Sequence, residues 1–138
     1  MRRFKFNLEE VMQLRKFREE ECELALAQAA AALNMIENEI METAVKRHNA
    51  ASNRFADVGE MISWENYILW LDRQTQKLME QAAQAELVVE EKRAAYLEAS
   101  RKLKTMEKLK EKQQKEYRKE MMNLQMAEVD DITASRYR

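Results

Sequence analysis

The sequence predicts an all-α protein: two long helices forming an antiparallel coiled-coil hairpin, the second helix longer than the first. Three observations predict it. The 138 residues include one Gly and no Pro, where globular chains carry roughly 7% and 5%. Charged residues make up 36% of the chain, and Ala, Leu, Gln and Met fill much of the rest, which is the composition of long helices. Apolar residues recur at 3–4 spacing along most of the length and change phase near the lone Gly59.

Helix 1 is expected over about residues 4–57. Its apolar line runs Leu8, Met12, Arg15, Cys22, Leu26, Ala29, Leu33, Ile36 and Ile40, then slips to Ala44, Ala51 and Phe55. Ala dominates the middle, including Ala29 to Ala32, so two helix axes can approach closely there. A turn is expected over about 58–63. Asp57-Val58-Gly59 reads as a helix end, with Gly59 taking the left-handed conformation just past it. Ser63 then reads as the cap of the next helix, with Glu65 placed to favour its dipole.

Helix 2 is expected over about 64–133, with a short tail at 134–138. Its seam is Trp64, Ile68, Leu71, Thr75, Leu78, Ala82, Ala85, Val89, Lys92, Tyr96, Ala99, Leu103, Met106, Lys110, Gln113 and Tyr117, continuing as Glu120, Leu124, Ala127 and Asp131. Of these 20 positions, 14 are apolar or aromatic, and the exceptions thicken after Lys110. A heptad spacing sustained this far is a coiled-coil signal. One coiled-coil domain over residues 1–138 is therefore expected, with residue 10 beside residue 110 and both termini at the open end.

The net charge of −1 conceals two basic zones. Residues 1–18 hold six Lys and Arg against two Glu, and residues 101–120 hold nine against four. The hairpin would bring these zones together. Acidic residues recur every four or five positions through 107–120, as intrahelical ion pairs require. Only Tyr117 is available there for base stacking, so nucleic acid is not the expected partner. A solvated charged face and a surface docking into an acidic protein cavity both fit the residues.

Catalysis and cofactor binding find no support. The single His48 has no Cys partner at metal spacing, no Gly-rich loop could cradle a phosphate, and Cys22 falls among apolar positions as a packed thiol. No metal site is expected. No apolar run approaches the ~20 residues of a membrane span, so direct membrane insertion is not expected and a cytoplasmic location is. The aromatics near Gly59 divide by direction. At about 100° per residue, Trp64, Ile68 and Leu71 share the seam, while Tyr67, Trp70 and Gln74 lie on a flank. An exposed Trp is costly unless covered, so Trp70 either anchors a partner or folds over helix 1.

Three stretches then resemble the FliJ family of the bacterial flagellar type III export apparatus. They are FKFNLEEVMQLRKFREEE (Phe4–Glu21), WENYILWL (Trp64–Leu71) and LKTMEKLKEKQQKEYRKE (Leu103–Glu120), and the ending AEVDDITASRYR (Ala127–Arg138) is similar too. The resemblance implies a non-enzymatic, two-helix coiled coil similar to the gamma stalk of rotary ATPases. It implies three partners: the hexameric flagellar export ATPase, the cytoplasmic domain of the membrane export gate, and export chaperones that the protein escorts. It places the protein in the cytoplasm, peripherally at the inner face of the cell membrane at the flagellar base, in the service of motility.

Carried over by position, the resemblance assigns ring contact to Leu8, Val11, Arg15, Arg18, Met106, Lys108, Leu109 and Lys112. It assigns gate contact to Trp64, Tyr67, Trp70 and Gln74. Gln74 departs from the family, where an apolar residue is usual. Two other classes fit the same residues: a structural, self-associating coiled coil, and the stalk of a virulence-type secretion system or a rotary ATPase.

Overall fold

The computed structural model describes residues 3–52 and 54–136. Two helices account for nearly all of them: α1, Glu9–Ala51, of 43 residues, and α2, Val58–Arg136, of 79 residues. No strand occurs among the described residues. The architecture is a helical hairpin whose second helix is the longer, as the spacing predicts.

Helix α1 opens with Glu9 and Glu10 in its first turn, where their charge favours the exposed N–H groups. Its first bonds are from the Glu9 N–H to the Phe6 carbonyl at 3.1 Å and from the Met12 N–H to the Leu8 carbonyl at 2.9 Å. At its other end the Ser52 N–H donates to the Asn49 carbonyl at 3.3 Å.

The reversal lies six residues earlier than the sequence reading places it. Gly59 is not a left-handed cap and Ser63 is not a helix start; both lie inside α2, and Gly59 has an ordinary negative φ. The physical reason is a capping box at Asp57-Val58-Gly59-Glu60. The Glu60 N–H donates to Asp57 Oδ1 at 2.8 Å, while Glu60 Oε2 accepts the Ala56 N–H at 2.7 Å. The first bond satisfies a donor that a helix start would otherwise leave open, and the second ties the residue before the cap to the same turn, so α2 begins at Val58. At the other end α2 continues to Arg136, through the first part of the expected tail; residues 137 and 138 lie outside the described residues.

The chain divides into two compact units, one made of residues 1–20 with 97–138 and the other of residues 21–96. In residues 21–96, α1 and α2 run antiparallel. Cys22 and Ala50 from α1 and Ile68, Leu71, Leu78, Ala82 and Val89 from α2 are buried, Leu71 most deeply at 1% exposure. Trp64 packs against the cluster of Ala50, Ile68 and Leu71.

The expected slip after Ile40 does not occur. Thr43 and Ala50 lie on the seam, while Ala44 and Ala51 are exposed. The heptad simply continues, and at the one intervening position the exposed Arg47 donates its Nε–H to Asp72 Oδ1 at 2.7 Å across the helices.

In the unit of residues 1–20 and 97–138, the pairing is again antiparallel. Lys110 Nζ meets Glu9 Oε2 at 3.0 Å, and the Phe4 and Tyr117 rings stand 5.6 Å apart at 47°. Phe6, Ala99, Leu103 and Met106 are buried, and Leu8, Met12, Arg15, Glu19 and Tyr117 are half-buried. Met121 is the last half-buried residue of α2; every described residue after it is exposed. The apolar residues there (Met122, Leu124, Met126, Val129 and Ile132) have no α1 partner to cover them.

Candidate partner-binding surfaces

The aromatic residues of the first turns of α2 divide into an inward and an outward group. Trp64 turns inward. Its indole N–H donates to the Ala50 carbonyl at 2.6 Å, and Phe55 meets it edge-on with centroids 5.1 Å apart and planes at 64°. That hydrogen bond satisfies the carbonyl of Ala50, one of the last four in α1 and so lacking an intrahelical partner. Both groups of the bond are therefore committed within the hairpin.

Tyr67 and Trp70 turn outward, at 41% and 52% exposure, and stack with centroids 6.2 Å apart and planes at 17°. Stacking holds both rings in place and lowers the entropy either would lose against a partner. Trp70 also lines a groove with Gln74, Leu71 and Leu78 of α2 and Glu39, Glu42, Thr43 and Lys46 of α1. Trp70 thus lines the junction of the two helices while about half of its surface stays open. Gln74, half-buried, belongs to the same groove.

The eight residues expected at the tip separate in the same way. Leu8, Arg15 and Leu109 are half-buried and Met106 is buried, all on or beside the seam. Arg15 Nε is buried without a hydrogen-bond acceptor. Val11, Arg18, Lys108 and Lys112 are exposed. A partner touching this surface would therefore meet the second four directly, while the first four shape what lies beneath.

One feature escaped the sequence reading. At 3.6 residues per turn, Arg101, Lys104, Lys108, Lys112, Lys115 and Lys119 fall within an arc of about 80°, on the side of α2 away from the seam. All six are exposed. Arg101 pairs with Glu98 at 2.7 Å and Lys115 with Glu111 at 3.4 Å, whereas Lys104, Lys108, Lys112 and Lys119 carry no ion pair among the described residues. The nine cations of 101–120 can be counted in the sequence. Their alignment required the angle of each position and not merely the count.

Two carboxylates are shifted by these contacts. The hydrogen bond from Lys110, with that from Gln13, lowers the pKa of Glu9, and the hydrogen bond from Arg101 lowers that of Glu98. Asp72, by its hydrogen bond, raises the pKa of the Arg47 guanidinium. No helix is long and apolar enough to cross a membrane, among the described residues. His48, on the last turn of α1, is exposed.

A family model described as "Flagellar FliJ protein" matches residues 4–138. No curated protein and no solved structure matches the chain.

Proposed function

The chain belongs to the flagellar FliJ protein family, and from that premise we propose that it is a non-enzymatic export factor linking the export ATPase to the membrane export gate. Membership gives it a role in flagellar protein export. In the proposed mechanism the unit of residues 1–20 and 97–138 enters the ring of the export ATPase. Tyr67 and Trp70 meet the cytoplasmic domain of the gate, and the protein escorts export chaperones at the cytoplasmic side of the flagellar base.

The match across residues 4–138 carries this reading, and the distribution of charge supports its division of labour. Residues 1–20 and 97–138 hold 17 Lys and Arg against 12 Asp and Glu, while residues 21–96 hold 7 against 13. A basic surface with unpaired lysines favours an acidic cavity and is drawn to it at long range. The seam in the same unit contains Arg15, Glu19, Lys110 and Gln113 in place of apolar residues, so its two strands are held together less by burial than those of residues 21–96.

No chemistry is required of the chain in this mechanism. Exposed lysines neutralise ring carboxylates, and the outward aromatics supply buried area at the gate. The work is mechanical and depends on a helix that stays intact under load. The test is co-purification with the cognate export ATPase at low and high salt. A complex at low salt that Lys108→Gln/Lys112→Gln weakens is expected, and its absence at low salt sinks the ring-docking claim.

A further inference from the structure

The groove beside Trp70 has a chemistry more specific than an aromatic patch. Its volume is about 340 Å³, and its base is formed by Leu71 and Leu78, both buried. Glu39, Glu42, Thr43 and Lys46 form the α1 wall, and Trp70 with Gln74 forms the α2 wall. A cleft at the small end of the usual range for ligand sites, open along one side, suits the end of one long side chain.

Glu39 and Glu42 lie one helical turn apart, and neither forms an ion pair among the described residues. Lys46 lies one turn beyond Glu42 and contributes the lining's single cation, yet it pairs with neither carboxylate. The opposite wall offers the face of an indole already fixed by its stack on Tyr67. An apolar side chain entering here would strip water from both carboxylates and give them nothing in return. An acidic one would be repelled, all the more because residues 21–96 carry six more acidic than basic groups (13 against 7).

A guanidinium answers every wall of the groove. It is planar, so one face packs on the indole of Trp70, and its fixed fork of N–H donors bonds carboxylates in pairs. Its aliphatic stem covers Leu71 and Leu78. We propose that the groove receives an arginine side chain from the gate's cytoplasmic domain, laid on Trp70 and bonded to Glu39 and Glu42. The proposal rests on the reading of Tyr67 and Trp70 as the gate-facing residues.

The test is calorimetric titration of the full chain with the cytoplasmic domain of the cognate gate, at two salt concentrations. Glu39→Gln/Glu42→Gln keeps side-chain shape on an exposed helix face and is expected to weaken binding about tenfold, the scale of one charge-assisted bond, with a flatter salt dependence. Lys46→Gln is expected to strengthen binding severalfold, because it removes the cation whose charge repels the arginine. A double variant that binds like wild type with unchanged salt dependence overturns the arginine while leaving the gate contact standing. So does a Lys46→Gln chain that binds no tighter. Failure of the wild-type chain to bind overturns the gate reading and the arginine together.

Discussion

The indole N–H of Trp64 donates to the carbonyl of Ala50 at 2.6 Å and ties the first turns of α2 to the last full turn of α1. Two residues on opposite sides of the reversal thereby fix each other. Trp64→Phe keeps the ring against Ile68 and Leu71 but removes the donor, leaving a partly buried carbonyl unpaired. A loss of about 1 kcal/mol is expected in urea unfolding, with helicity unchanged.

The reversal itself rests on the capping box. Asp57→Ala removes the acceptor of the Glu60 N–H and is expected to cost about 1 kcal/mol. Gly59→Ala separates the two accounts of this turn. A left-handed Gly59 would make alanine there clearly destabilising. Inside α2, alanine gains about 1 kcal/mol of helix propensity, set against a new Cβ only 3.2 Å from Asp57 Oδ1. Near-neutral thermal stability is the expected outcome, checked by melting followed by circular dichroism.

The helix-2 seam was the most legible part of the chain. Every position named from Trp64 to Tyr117 is buried or half-buried, since apolar periodicity reports directly which side of a helix has a partner. The four positions named after Tyr117 are exposed, because α1 supplies nothing to cover them. Gly59 misled because glycine serves both ends of a helix. The deciding signal was Asp57 with Glu60 three residues later, visible in the sequence yet overshadowed by the rarer residue. Ala44 and Ala51 misled for a different cause: the seam passes through Thr43 and the exposed Arg47 to Ala50, and neither Thr43 nor Arg47 gives an apolar signal at its position. Trp70 was resolved only as far as its direction, because the groove beside it needs α1 residues some 30 positions away in sequence.

Leu71 and Trp70 are adjacent in sequence and opposite in consequence. Leu71→Ala empties the most deeply buried position among the described residues and is expected to cost about 3 kcal/mol. Trp70→Ala, at a half-exposed position, is expected to cost much less and to act on partner binding. Equal losses in denaturant unfolding would place Trp70 in the core and remove it from the gate.

Acid should weaken the unit formed by residues 1–20 and 97–138. The pKa of Glu9 is lowered in the folded chain, so its bond to Lys110 stabilises the fold above the ordinary value of 4.5 and is lost as pH falls through the lower, folded-state value. Glu98, lowered by Arg101, behaves with the same sign. Melting temperature measured from pH 7 down to about 3 should fall less steeply for Glu9→Gln than for wild type. Parallel curves would show that Glu9 gains nothing from Lys110.

The central claim is that this chain acts on a ring ATPase through its basic unit. The most direct measurement is the ATP hydrolysis rate of the cognate flagellar export ATPase, titrated with wild-type chain and with Lys104→Gln/Lys108→Gln/Lys112→Gln. A rate that changes saturably with the wild-type chain, and shifts to higher concentration for the variant or at higher salt, is the expected result. An unchanged rate, together with no complex at low salt, would contradict the account.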